Sequence, residues 1–83
     1  MTKVVRLIRY FEKEGDDLVG EISLPQDKLN LGELQKLFHI PSENPMYDCY
    51  RITNQNVKFF QNLIRHEFDF EKYEYFFECD AVE

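Results

Sequence analysis

The sequence has few of the residues that form catalytic or metal-binding signatures. It has no tryptophan, two cysteines, two histidines, two serines and three glycines. The cysteines lack C-x-x-C spacing, neither histidine stands at metal-ligand spacing, and no G-x-S-x-G context or phosphate-binding loop occurs. We therefore predict no catalytic residue, no metal site and no cofactor, and we interpret the chain as a binding protein rather than an enzyme.

Long hydrophobic runs are absent as well. No apolar run exceeds three residues, so the sequence predicts neither a transmembrane span nor a signal peptide. The expected location is the cytoplasm, where Cys49 and Cys79 are expected to be free thiols. The length of 83 residues predicts a single domain, 1–83.

Positive charge is scarce relative to negative charge. Sixteen acidic residues against ten basic ones give a net charge of −6. That balance argues against nucleic acid and anionic membranes as partners, since both repel an acidic protein. It favours a basic protein partner, although solubility alone also explains an acidic surface.

Aromatic residues are abundant, especially near the C-terminus. Tyr73, Tyr75, Phe77 and Cys79 share one parity, whereas Glu74, Phe76 and Glu78 share the other. This period of two predicts a half-buried strand with one packed face and one acidic, solvent-exposed face. Because aromatic side chains bury large areas, we expect this strand to form the spine of a sheet.

The remaining patterns predict three more strands and two helices. They are a hairpin of strands 4–11 and 18–24, a helix from Asn30 to His39, a strand 46–52, and a helix capped by Thr53 that runs to about His66. The predicted fold class is α+β. It is a small antiparallel four-stranded sheet, in the sequence order ββαβαβ, covered on one face by two short helices.

If the first, second and fourth strands are neighbours in the sheet, the carboxylates of these three strands and of the first turn are expected to converge on one face. They are Glu12, Glu14, Asp16, Asp17, Glu21, Glu74, Glu78 and Asp80. Tyrosine among carboxylates suits recognition of a cationic surface. The alternative is a solvated sheet face that has no partner.

Four segments of the chain form a recognisable set. They are Tyr10-Phe11-Glu12-Lys13, Leu18-Val19-Gly20-Glu21, Leu37 to Pro41, and the region from Cys49-Tyr50-Arg51-Ile52 to Asp80. In these segments the chain resembles the immunity proteins of cloacin and the ribonuclease-type colicins. The chain departs from that family at Lys58 and Asn62, where the family has prolines, and at Asn56, where it has tryptophan.

The resemblance implies an inhibitor that binds a basic nuclease toxin domain and blocks it by charge complementarity. It places Tyr10, Glu12, Glu21 and Cys49 on or beside the binding sheet. The alternation adds Glu74 and Glu78, and the acidic turn adds Asp17. Cys49 has a second interpretation as a core cysteine.

Three other functions stay open from the sequence. One is a non-catalytic adaptor or structural subunit that binds through a sheet edge or through its aromatic surface, and whose binding is insensitive to salt but lost on changing Tyr73 or Phe77. The second is a domain that kept the immunity-like fold without the role, and the third is a small enzyme with a concave pocket. The oligomeric state is left open.

Overall fold

Two long strands, one near each end of the chain, form the centre of the fold. In the computed structural model, which describes residues 3–82, β1 (Lys3–Glu12) and β4 (Tyr73–Val82) pair antiparallel along their whole length. β2 (Leu18–Ser23) pairs with the other edge of β1, and β3 (Tyr50–Ile52) pairs with the other edge of β4. The strand order is therefore β2-β1-β4-β3.

Two short helices cover one face of this sheet. α1 (Leu31–Leu37) follows a 3-10 turn at Gln26–Lys28, and α2 (Val57–Gln61) follows β3. Leu34 of α1 and Phe60 of α2 are both 0% exposed and lie in one buried cluster with residues of the strands. The predicted α+β fold is thus confirmed. Among the described residues no helix has the length and hydrophobicity needed to cross a membrane.

The alternation along β4 separates the two faces of the sheet as predicted. Tyr75 and Phe77 are each 1% exposed, and Ile8, which lies directly opposite Phe77 on β1, is 0% exposed. Phe77 also packs on Phe38 and Phe60, with ring centroids 5.8 Å and 5.5 Å away. This face holds the core, and the intervening side chains of β4 point to the opposite face.

The second helix is much shorter than the prediction from Thr53 to His66. Thr53 does not cap it: its hydroxyl accepts from the backbone N–H of Gln55, and α2 starts four residues later. Beyond the helix, the rings of His66, Phe68 and Phe70 all pack on Tyr75, with centroids 4.8–5.7 Å away. Side chains spaced by two residues reach one ring from an extended chain, so this packing excludes a continuous helix.

The third strand also starts later than predicted, at Tyr50 instead of Met46. The Arg6 guanidinium donates to the carbonyl oxygens of Pro45 (3.0 Å) and Met46 (2.7 Å). Met46 is 0% exposed and has a φ of 58°, a left-handed conformation that does not fit a strand. Arg6 therefore holds this segment as a loop.

The first helix matches the prediction at its start and ends two residues early. The Asn30 side chain accepts from the backbone N–H of Glu33 at 3.1 Å, which is the predicted cap. The helix ends at Leu37 because His39 takes a φ of 59°, and the Ile40 N–H then bonds to the Gln35 carbonyl oxygen.

Gly20 lies where β2 passes over the ring of Tyr10, and its substitution gives a test of this packing. A Cβ at Gly20 would come within 3.0 Å of the Tyr10 hydroxyl oxygen. The ring has little room to move, because it stacks on Tyr75 at 5.0 Å and meets the edge of Tyr73 at 5.3 Å. We expect Gly20→Ala to lower the free energy of unfolding by about 1–2 kcal/mol in a urea titration.

A double variant provides the control for this prediction. Removing the hydroxyl with Tyr10→Phe in the Gly20→Ala background should recover part of the loss, because the two positions are in contact. If Gly20→Ala had the same free energy of unfolding as the wild type, the Tyr10 ring would be able to move away from the added Cβ at no cost, which would contradict the packing described here.

Candidate functional site

Most of the net negative charge lies at one end of the sheet. Residues 12–17, which comprise the last residue of β1 and the turn to β2, meet residues 67–72, which lead into β4. The Lys13 N–H bonds to the Lys72 carbonyl oxygen at 3.1 Å, and Glu12 pairs with Tyr73. We call residues 12–17 and 67–72 the acidic end. They contain seven acidic residues and two lysines, which is a charge of −5 out of the −6 of the chain.

Local backbone chemistry fixes both segments of the acidic end. Gly15 has a φ of 96° and Asp16 a φ of 57°, and the Glu12 N–H closes the turn on the Asp17 carbonyl oxygen at 2.9 Å. In the second segment, the Asp69 carboxylate accepts from the N–H groups of Glu71 (3.1 Å) and Lys72 (3.2 Å). Hydrogen bonds of backbone groups therefore fix the course of the chain in both segments that carry the carboxylates.

The carboxylates of the acidic end have no cationic partner among the described residues, whose ion pairs all lie on the strands. An open cleft of about 460 Å³ runs between the two segments. It is lined by Glu12, Lys13, Glu14, Glu71, Lys72 and Tyr73. Within residues 3–82 no three His, Cys, Asp or Glu side chains converge as metal ligands would.

The second candidate surface is the side of the sheet opposite the helices, which we call the open face. Strand register and alternation place the following strand residues on it: Lys3, Val5, Leu7, Arg9, Phe11, Glu21, Ser23, Arg51, Glu74, Phe76, Glu78 and Asp80. Four carboxylates on this face oppose three cationic side chains, so its charge is nearly balanced.

Arg9 is the centre of the charge pairing on the open face. Its Nε donates to Glu21 at 2.7 Å, its Nη1 to Glu78 at 2.8 Å, and its Nη2 to Asp80 at 2.6 Å. These hydrogen bonds raise the pKa of Arg9, with Asp80 contributing most. In turn, the hydrogen bond from Arg9 holds the pKa of Asp80 below its usual value.

A second, smaller network lies beside it. Arg51 Nη2 donates to Glu74 at 2.8 Å, and the guanidinium carbon lies 5.9 Å from the centre of the Phe76 ring. Phe76 also meets Phe11 edge-on, with ring centroids 5.9 Å apart. Both phenylalanines are half-buried and lie outside the core cluster, so the open face combines paired charges with an aromatic patch.

Tyr10 does not lie with the predicted carboxylates. Its even position in β1 places it on the helix-covered face, where it packs against Tyr73, Tyr75 and His66. Tyr10 is thus part of the sheet, but its side chain lies on the face opposite to that of Glu21, Glu74 and Glu78. In the same way, Phe77 is too deeply buried to contact a partner.

Cys49 lies just before β3 and is exposed. Desolvation of the thiol and the neighbouring Glu78 carboxylate raise its pKa, which lowers its reactivity as a nucleophile. Both Cys49 and Cys79 are free thiols, as expected. The interpretation of Cys49 as a core cysteine is excluded by its exposure.

The predicted site residues thus fall into two groups. Glu12 and Asp17 belong to the acidic end, whereas Glu21, Glu74 and Glu78 lie on the open face, each bound to an arginine. Sequence analysis missed Arg9 as the common partner of three carboxylates. Its position amid the apolar residues of β1 was the available signal.

Residues 5–78 match the profile of one protein family, which is described as a domain of unknown function (DUF7683). A search of curated proteins finds no match to the chain. The family description names neither an activity nor a partner, so the resemblance to immunity proteins stays a prediction.

Proposed function

We propose that this chain, which belongs to the DUF7683 domain family, binds and inhibits a basic protein domain. The inhibitor would be of the immunity type. It would act in the cytoplasm and occlude a basic nuclease or similar toxin domain, with no chemistry of its own.

The unpaired charge of the acidic end is the observation that supports this proposal. Its seven carboxylates lie in two segments that meet at one end of the sheet, and they have no cationic partner among the described residues. Such a field attracts a basic surface during diffusion and repels acidic competitors. The open face offers less attraction, because Arg9 and Arg51 neutralise its carboxylates.

Apolar side chains next to the acidic end would supply the contact area. Leu18 is 54% exposed and Val19 is 41% exposed, and both follow Asp17 directly. Interfaces typically combine an apolar centre with a charged rim. Here the exposed apolar pair would form the centre, and the carboxylates would steer and orient the partner.

The first test is affinity capture with the immobilised protein at low salt, from a lysate of the organism that encodes it. Bound proteins are eluted by a salt gradient and identified by mass. We expect a basic domain that elutes late and whose nuclease activity is lost at a one-to-one ratio with this protein. The association rate constant should fall about tenfold or more from low to high salt.

Charge-reversal variants locate the surface in that complex. Glu14→Lys and Glu71→Lys, one in each segment of the acidic end, should each slow association severalfold. Glu43→Lys makes the same charge change in the loop after α1, on the helix-covered side, and should have little effect. Equal slowing by all three variants would mean that net charge acts without a defined site.

The aromatic patch of the open face favours a second candidate function, a non-catalytic adaptor. Phe11 and Phe76 are half-buried on a face that no helix covers. They replace Phe77, which is buried, among the contacts of that hypothesis, whereas Tyr73 is half-buried, lines the cleft of the acidic end and stays a candidate contact. An adaptor of this kind would hold its partner at high salt and lose it on Phe76→Ala, whereas the inhibitor would behave in the opposite way.

A further inference from the structure

β2 forms an edge of the sheet whose outward backbone groups have no partner among the described residues. It pairs only with β1, and most of its residues are exposed. The other edge strand, β3, has three residues, and the Asn56 side chain donates to the Arg51 carbonyl oxygen beside it. Of the two edges, β2 is therefore the one that offers unpaired groups.

Hydrogen bonds at both ends of the hairpin show which groups of β2 point outward. The Gln26 side chain bonds to both the N–H (3.0 Å) and the carbonyl oxygen (2.6 Å) of Arg6, and the Glu12 N–H bonds to Asp17. Even-numbered residues of β1 therefore direct their backbone groups toward β2. The pair Ile8–Ile22 consequently exchanges hydrogen bonds.

The intervening residues of β2 must then face away from β1. Glu21 and Ser23 direct their N–H and carbonyl groups to the free side of β2. The register shift opposite Tyr10 and Phe11 interrupts the regular strand geometry at the end of β2 that is nearer to the turn. The side chains of Glu21 and Ser23 lie on the open face. A strand added here would bond to these two residues.

The negative charge of Glu21 favours a basic residue in the added strand. The Glu21 side chain is 51% exposed, and Arg9 binds one of its oxygens, Oε2. In a hydrogen-bonded antiparallel pair, the residue opposite Glu21 places its side chain beside that carboxylate on the open face. A lysine or arginine there gains an ion pair. A second copy of this chain is disfavoured, because its own β2 has no lysine or arginine to place opposite Glu21 and both molecules carry a charge of −6.

We propose that the β2 edge binds an extended segment of the basic partner by strand addition, with a lysine or arginine opposite Glu21 and hydrogen bonds to the backbones of Glu21 and Ser23. This inference rests on the proposed function, because it describes how the basic partner is held. It also extends that function from a charged patch to a specific backbone contact.

A synthetic capped peptide of alternating lysine and valine is the probe. When the peptide binds with its lysine side chains on the open face, the backbone N–H groups of the lysines point toward β2. The backbone N–H groups of the valines point away from β2. A peptide N-methylated on its lysines should therefore bind about tenfold or more weakly than the parent, whereas N-methylation of the valines should change binding little. Both modified peptides keep the same charges.

Amide exchange measured by NMR on isotope-labelled protein gives the location. The N–H groups of Glu21 and Ser23 should exchange more slowly when the parent peptide is bound. A Ser23→Pro variant removes one outward donor and spares the β1 ladder, so it should weaken the parent peptide while urea unfolding confirms that it folds.

Three results would overturn strand addition. They are equal binding of the two N-methylated peptides, unchanged exchange at Glu21 and Ser23 in the complex, and no binding of the parent peptide. If one of these results occurred while the affinity capture still gave a basic partner that elutes with salt, strand addition would be wrong and the inhibitor function would stand. If the capture gave no basic partner while the peptides bound as expected, the inhibitor function would be wrong and strand addition at β2 would stand.

Discussion

Phe77→Ala is expected to lower the free energy of unfolding by about 3–5 kcal/mol. The Phe77 side chain is 1% exposed, lies opposite Ile8 and Tyr50 in the two neighbouring strands, and packs against the rings of Phe38 and Phe60. Its removal leaves a cavity at the centre of the sheet that the paired strands on either side prevent from closing. Urea unfolding followed by circular dichroism measures the loss.

The adjacent residue provides a matched control. Phe76→Ala makes the same chemical change one position earlier, on the open face, where its ring contacts Phe11 and Arg51. We expect a loss of about 1 kcal/mol there. Phe77→Leu, with an expected cost of about 1–1.5 kcal/mol, keeps the comparison measurable if the alanine variant does not fold. Similar losses at Phe76 and Phe77 would contradict the assignment of the two faces.

The two faces of β4 were predictable because one local signal determines them. From Tyr73 to Cys79 the aromatic and acidic residues nearly alternate, and a period of two has one structural meaning in a paired strand. The cap at Asn30 was likewise predictable, since a side chain and a backbone group three residues apart suffice to form it. Local chemistry decides both features.

The α2 region shows where local signals fail. Val57, Phe60, Leu63 and Ile64 have helical spacing, but the helix ends at Gln61 because the following aromatic residues pack around Tyr75 from an extended chain. The β3 boundary has the same kind of cause, since Arg6, forty residues away from Met46, binds the loop before β3. Contacts between distant segments overrode the local pattern in both cases.

The charge distribution of the site was only partly predictable for a related reason. The sequence shows which strands carry carboxylates but not which of them share a cation. Arg9 lies opposite Glu21 on one side and Phe76 on the other, and its guanidinium reaches two further carboxylates on β4. Because Arg9 and Arg51 neutralise the carboxylates of the open face, the unneutralised carboxylates lie mainly at the acidic end. The proposed binding surface is therefore the acidic end and not the open face.

Arg9→Gln is expected to lower the free energy of unfolding by about 2 kcal/mol at neutral pH. The variant leaves Glu78, whose side chain is only 13% exposed, with no cation in contact and with Glu21 and Asp80 nearby. Desolvation without a partner and repulsion between the carboxylates both oppose folding. Arg51→Gln removes a more exposed pair, with side-chain exposures of 55% and 27%, and should cost less than about 1 kcal/mol.

The pH dependence separates the charge of Arg9 from its packing. Arg9 lowers the pKa of Asp80 in the folded protein, so the stabilisation is fully present above the unfolded pKa of about 3.9 and is lost as the pH falls through the lower folded value. Protonation of Asp80 removes this stabilisation, so the difference in the free energy of unfolding between the wild type and Arg9→Gln should narrow below about pH 4. Urea titrations of both proteins over a series of pH values measure this difference. If this difference in the free energy of unfolding stayed constant into the acid range, the loss in Arg9→Gln would come from the packing of the Arg9 methylene groups instead, because that packing does not depend on pH.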